Sequence, residues 1–268
     1  MYITSTYTMK FIKIRSKNHT ANALRRTVRT ANNILLRLGS MTPTNEVFPR
    51  QIARGERIIE LNTAEACRVS GDKILMKQHF DEHEVKTAKW IQLSNWSPEN
   101  FAEEYPYIIK HKHSSKGNGI YFIANEEELR RFISEHRDTG NYILEKYHTY
   151  TKEYRLHIYG DGCFYTCRKM LRNDATDRWH RHDSNSVWIL EDNELFSKPS
   201  NWDAIVAECV KAKDAVGLDI CAVDIKVQNE SHRGEPKFII LETNSAPSLG
   251  EITTQKYIEK LTEISEAL

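Results

Sequence analysis

No run in this 268-residue chain approaches the roughly 20 apolar residues a helix needs to span a bilayer, so a membrane-spanning helix is excluded. No GxxxxGK[ST] occurs, which excludes a P-loop, and Gly117-Asn118-Gly119 is too short for a dinucleotide fingerprint. The five cysteines (Cys67, Cys163, Cys167, Cys209, Cys221) are odd in number and irregular in spacing, which argues against a disulfide framework. Cys163 and Cys167 share a face of a predicted strand, yet no Cys/His pair at zinc spacing follows, and reduced thiols are expected. There is no signal-peptide pattern, and a cytoplasmic location is the expectation. A net charge of +1 gives no global pull toward nucleic acid or membrane.

Residues 1–45 lack any acid and carry eight Lys and Arg. A transit peptide and a nucleic-acid arm are both compatible with that composition. Against both stands the spacing of Ala21, Leu24, Val28, Ala31, Leu35 and Leu38, followed by Gly39. This predicts a folded amphipathic helix with Arg25, Arg26, Arg29 and Arg37 on its outer face.

What the chain does contain is concentrated near its end. Cys221-Ala222-Val223-Asp224-Ile225-Lys226-Val227 and Phe238-Ile239-Ile240-Leu241-Glu242-Thr243-Asn244 flank a polar turn with Gly234 and Pro236, and read as a hairpin. Residues two apart share a strand face, so Glu242 and Asn244 point the same way. The neighbouring strand can bring Asp224 beside them, although a charge inside an apolar strand is costly without a partner. Two carboxylates and an amide oxygen form a hard, all-oxygen set suited to Mg²⁺ with substrate phosphates.

The coarse pattern upstream is a strand at 11–14, the helix above, a loop at 40–56 and a strand at 57–61. A helix capped by Asp72 runs through His83, and Ser97 or Pro98 starts another short one. Strands at 105–111 and 119–124 flank a Gly-bearing loop. A helix at 125–138 capped by Asn125 follows, with Glu126, Glu127 and Glu128 in its first turn, as the helix dipole favours. Strands at 141–146, 152–160 and 162–170, a polar loop at 172–185, a strand at 186–190 and a helix at 202–216 precede the hairpin. A helix at 252–267 closes the chain. No repeat or low-complexity segment occurs.

The segments Gly217-Leu218-Asp219-Ile220-Cys221-Ala222-Val223-Asp224 and Leu241-Glu242-Thr243-Asn244-Ser245-Ala246-Pro247-Ser248 resemble the end of an ATP-grasp domain. The likeness is to ribosomal-protein glutamate ligases and phage-type carboxylate–amine ligases, over roughly Arg37 to Glu251. It implies an α/β (α+β) fold in which two lobes grip ATP between antiparallel sheets. A truncated N-terminal α/β lobe (1–62), a central lobe with the phosphate loop (63–148) and a C-terminal lobe with the metal site (149–268) are expected. It also implies that Asp224, Glu242 and Asn244 hold two Mg²⁺ ions.

Tyr107-Ile108-Ile109-Lys110 followed by a loop of small residues is similar to the family's lysine strand and phosphate-covering loop. The resemblance makes Lys110 and Lys73 phosphate ligands and the amides of Ser114, Ser115, Gly117 and Gly119 a cover over the phosphates. Glu145, Lys146, Tyr147 and His148 resemble the inter-lobe hinge, whose backbone reads adenine, and Glu153 matches the acid that holds the ribose hydroxyls. Arg168 and Lys169 point to opposite faces of one strand, so only one can meet the γ-phosphate. Arg168 is expected, for its planar fork, with Arg155 as a second cation. Asn185 is expected near substrate. The implied activity is an ATP-dependent carboxylate–amine ligase acting on small-molecule or peptide substrates through an acyl phosphate. Alternatives are an ATP-grasp kinase, a non-catalytic nucleotide-binding module and, from the basic first residues alone, a nucleic-acid-directed ligase. Homodimers are frequent in the family, and no interface is specified here.

Overall fold

A computed structural model describes residues 9–114, 117–176, 178–182, 184–229 and 234–268. The first lobe contains β1 (Lys10–Phe11), β2 (Lys13–Ser16), β3 (Arg29–Thr30), β4 (Asn33–Leu38), α1 (Thr44–Val47), α2 (Pro49–Ala53) and β5 (Ile58–Leu61). β2, β4 and β5 form a parallel sheet with β4 central, and β1 pairs with β3.

The expected helix through residues 21–38 is not formed. A 3₁₀ turn over His19–Leu24, capped by Asn18, stops at Arg25, and Arg26 takes φ 60. The apolar stripe is instead that of a strand buried on both faces: all six residues of β4 are buried, whereas Ala31 is exposed. A central parallel strand reads as a continuous apolar run, and a short run of this kind fits either period. Arg37 is buried rather than outward, donating to Glu60 at 2.5 Å, Thr44 Oγ1 at 2.7 Å and the carbonyls of Thr42 and Asn62 at 3.1 Å. The segment 40–56 is also more ordered than a loop, since it carries α1 and α2.

The centre of the chain contributes α3 (Ala64–Ser70), α4 (Lys73–Glu82), β6 (Trp90–Gln92), β7 (Tyr107–His111), β8 (Ile120–Ile123), α5 (Glu126–Glu135) and β9 (Tyr142–Lys146). The antiparallel order is β6-β9-β7-β8. β6 has no counterpart in the sequence reading, and where a short helix from Ser97 or Pro98 was expected there is only a turn, closed by the Asn100 and Phe101 amides donating to the Ser97 carbonyl. Alternation divides the sheet: Tyr107, Ile109, Ile123 and Leu144 pack with Leu129 and Phe132 of α5, while Ile108, Lys110 and Glu145 face a cleft.

The remainder contributes β10 (Lys152–Tyr159), β11 (Gly162–Leu171), β12 (Ser186–Leu190), α6 (Trp202–Ala215), β13 (Ile220–Val227), β14 (Phe238–Asn244) and α7 (Glu251–Ala267). Their antiparallel order is β12-β11-β10-β13-β14. Packing crosses two of the expected boundaries. α3 and α4 join α6 against the outer face of this last sheet through Ala66, Val69, Met76 and Phe80, and α7 returns to the first lobe through Tyr257, Leu261 and Ile264. The inner face of the sheet is the second wall of the cleft.

Candidate functional site

The cleft between the two antiparallel sheets has a volume of ≈ 1090 Å³. Eight lysines and arginines and four acids line it, a cationic balance that favours a polyanion. Its floor is the hairpin. β13 and β14 pair Asp224 opposite Glu242 and Ala222 opposite Asn244, with a register shift after Asp224. The three residues expected as metal ligands therefore stand close together on these two paired strands.

They are not bare. Asp224 accepts a bidentate pair from Arg155 on β10, Nε at 2.7 Å and Nη2 at 2.8 Å. Burial would lower the Arg155 pKa, but Asp224 outweighs it and the guanidinium is raised. Lys73 Nζ stands 3.5 Å from Glu242 Oε2, and Asn244 Oδ1 accepts from Ala246 N at 2.9 Å. A carboxylate offers about four lone-pair positions, so each acid retains acceptor capacity toward the cleft. The donor set is oxygen only and suits Mg²⁺, not a thiophilic ion.

The facing sheet supplies a buried charge chain. Lys77 Nζ lies 2.6 Å from Glu145 Oε1, and Lys110 contacts the other oxygen of the same carboxylate. Burial alone would raise the Glu145 carboxyl, but the Lys110 and Lys77 ammoniums hold it down at about 2. Burial likewise opposes the charge on both lysines. Glu145 outweighs that at Lys110, which is raised, but not at Lys77, which is lowered. Lys73 begins α4 because Asp72 accepts from Ile74 N at 2.9 Å and Leu75 N at 3.3 Å. Lys73 Nζ donates to the Ser114 carbonyl at 2.6 Å, which ties the helix start to the turn after β7.

Several expected roles change. Arg168 does not face the cleft: it shares a face with Tyr154, 5.9 Å from that ring, beside the helices on the outer side of the sheet. Lys169 takes the inner face, donating to the Arg181 carbonyl at 2.8 Å and lying 5.2 Å from the Trp188 ring. Gly119 closes the β7–β8 turn, its carbonyl accepting from His111 N at 3.1 Å, and does not line the cleft. The Ser114 amide is used within the same turn, donating to the His111 carbonyl. Gly117 does line the cleft, with φ +80 and a neighbour, His180 Cε1, 2.7 Å from where a Cβ would stand. Ser115 lies outside the described residues. The Lys146 and Tyr147 amides donate to the carbonyls of Lys89 and Pro106, so neither is open to a ligand, although both side chains line the cleft. Asn185 braces its own loop, with His182 N donating to Oδ1 and Nδ2 donating to the His180 carbonyl.

Glu153 is where the likeness puts an acid, in the cleft with Arg181 Nη1 3.5 Å away. Burial raises its pKa against the pull of Lys226 and Arg181. Lys226 was missed. It stands opposite Glu153 in the β10–β13 register, 4.9 Å from the Tyr147 ring, and burial brings its ammonium down to about 8. The signal was present, since Lys226 follows Asp224 by two on the same strand face. Lys77 follows Lys73 by four on one helix and was equally legible. Arg181 and Trp188 had no such signal.

No protein-family model matches the chain, and no curated protein matches it in sequence. Solved structures do. D-alanine–D-alanine ligase from Bacillus anthracis superposes with TM-score 0.61 at 11% identity, covering 88% of this chain and 82% of that one. The same enzyme complexed with ATP gives 0.59 at 13%, covering 88% and 81%. The biotin carboxylase–β,γ-ATP complex from Campylobacter jejuni gives 0.60 at 16%, covering 88% of this chain and 55% of that one. The chain has the ATP-grasp fold. Among the described residues, no helix is long and apolar enough to cross a membrane.

Proposed function

We propose that this chain is an ATP-dependent carboxylate–amine ligase. The observation that carries the reading is the meeting of Asp224, Glu242 and Asn244 with Arg155 and Lys169 on one cleft wall, with Lys73 reaching Glu242 from the start of α4 and Lys110 on the facing sheet. A triphosphate lying between these walls meets fixed cations from both sheets. The ATP complexes among the similar structures support ATP as the nucleotide.

In this reading Lys73 and Lys110 bind the inner phosphates, and Glu145 holds Lys110 in place. Asp224, Glu242 and Asn244 would hold Mg²⁺, which neutralises charge on the phosphoryl oxygens when bound. A substrate carboxylate oxygen attacks the γ-phosphorus, the bond to ADP breaks, and an acyl phosphate forms. The amine nitrogen then attacks the acyl carbon, phosphate leaves, and the nitrogen loses a proton. Arg155, which contacts Asp224, and Lys169, on the same wall, are the cations assigned to the transferring group. Catalysis rests on positioning and charge, and no protein nucleophile is required.

The test is hydroxamate trapping. With ATP, Mg²⁺ and a competent acid, hydroxylamine should yield a hydroxamate. Glu242→Gln should abolish it and Lys169→Ala should reduce it by roughly 10²-fold or more, while Arg168→Ala should retain most of it. A stable phosphorylated product with no hydroxamate and no dependence on an amine would replace the ligase by a kinase. Loss in Arg168→Ala with Lys169→Ala active would reverse the face assignment.

A further inference from the structure

The last turn of α4 carries a second constellation, independent of the ligase reading. His79, Glu82 and His83 are spaced by three and four residues, so all three project from one helix face. One ligand-capable atom from each lies within 4.8 Å of the others. The two imidazoles are stacked with an interplanar angle of 11° and centroids 6.4 Å apart. Their Nδ1 atoms are engaged by backbone: His79 Nδ1 is 3.1 Å from the carbonyl of Ala215, the last residue of α6, and His83 Nδ1 is 2.9 Å from the His79 carbonyl. A carbonyl can only accept, so each Nδ1 is the donor, and in the neutral imidazole this leaves the Nε2 lone pair for a ligand. Metal-ligating histidines are held in this way, one ring nitrogen donating to backbone while the other binds the ion. Asp81 is not in the set, and its Oδ2 accepts from Trp90 Nε1 at 2.9 Å.

We propose that His79 Nε2, His83 Nε2 and the Glu82 carboxylate form a binding site for a zinc-class divalent cation, with water completing the coordination. Two imidazoles and one carboxylate favour a borderline ion over Mg²⁺ or Ca²⁺. Two histidines one turn apart on a helix can chelate one ion without reorganising the backbone. The consequence is mechanical. His79 already joins α4 to the end of α6, and the first turns of α4 carry Lys73 and Lys77. A bound ion would brace the helix that presents Lys73 to the cleft and holds Lys77 against Glu145.

The test uses the full chain, stripped with a chelator, desalted and titrated with zinc chloride by calorimetry, and with cobalt(II) by visible absorbance. A Glu242→Gln background removes metal uptake at the hairpin. One ion per chain is expected in that background. His83→Ala and Glu82→Gln should each weaken binding by more than roughly tenfold and remove the cobalt band, while His180→Ala should change neither. Zinc should raise the Tm of the parent chain and not that of His83→Ala. Because His83 is exposed, its loss should leave the circular dichroism unchanged, which separates a lost ligand from a lost fold. Failure of the parent chain to take up zinc, or unchanged uptake in a His79→Ala/His83→Ala variant, would overturn the proposal.

Discussion

Lys226 and Glu145 are the two residues at which burial and charge compete most openly. Lys226 titrates near 8 in the free protein against an ordinary 10.5. A lysine with a lowered pKa binds fewer protons folded than unfolded, so this group makes the fold more stable as pH rises from about 8 to 10.5. A phosphate anion in the cleft would reverse the local balance and favour the ammonium. ATP binding above pH 8 should therefore take up a proton, and affinity should fall as pH rises further. Calorimetry in buffers of different ionisation enthalpy measures that uptake. Lys226→Met should eliminate it, and an unchanged uptake in this variant would place the titrating group elsewhere.

Glu145 is the opposite case. Its carboxyl is depressed from 4.5 to about 2, so its stabilising effect is complete above pH 4.5 and is lost as pH falls toward 2. Glu145→Gln leaves Lys77 and Lys110 facing each other without their counter-ion. Removing one partner of a buried pair costs about 3–5 kcal/mol, and urea unfolding should register a loss of that order. A loss below about 1 kcal/mol would mean that water or a rotamer change relieves the lysines.

Among the elements, α4 connects stability most directly to ligand binding, because its cap and its first residue belong to different tasks. Asp72→Ala should cost about 1 kcal/mol through the lost cap. It should also raise KM for ATP more than it lowers kcat, since Lys73 is aimed by the first turn. Equal effects on both constants would argue that Lys73 acts in the chemical step. The cap was legible in the sequence because capping is local, and so was the hairpin, because period 2 fixes which residues share a face. What parity leaves open is which face is inside. Arg168 and Lys169 differ by one residue, and only the packing of α6 against Tyr154 decides between them. β4 was misread for a related reason. Leu35 and Leu38 fit a helical stripe as well as a buried strand, and the deciding partners, β2 and β5, are tertiary.

At the scale of the molecule, the first lobe is joined to the last sheet through Asn62 and α7. Asn62 is fully buried and bonds both ways: its amide nitrogen donates to the carbonyls of Arg37 and Ile220, and its oxygen accepts from the amides of Asp219 and Ile220. α7 completes the apolar core around Ile12, Ile14, Leu36 and Leu38. Leu261→Asp puts an unpaired charge into that core and should destabilise the chain by about 3 kcal/mol or more. If the lobe folds as one unit with the sheet, hydrogen exchange in β4 and β13 should accelerate together. Acceleration confined to β4 would show that the first lobe opens separately.

That same return of α7 sets an order of events during synthesis. β2 and β4 leave the ribosome well before α7, the helix that covers them, separated from it by most of the elements described. Contacts so distant in sequence form slowly, and domains usually fold as they emerge. Here the first lobe has to wait with an apolar face open. The nascent chain is therefore exposed to aggregation and to chaperones until α7 is released.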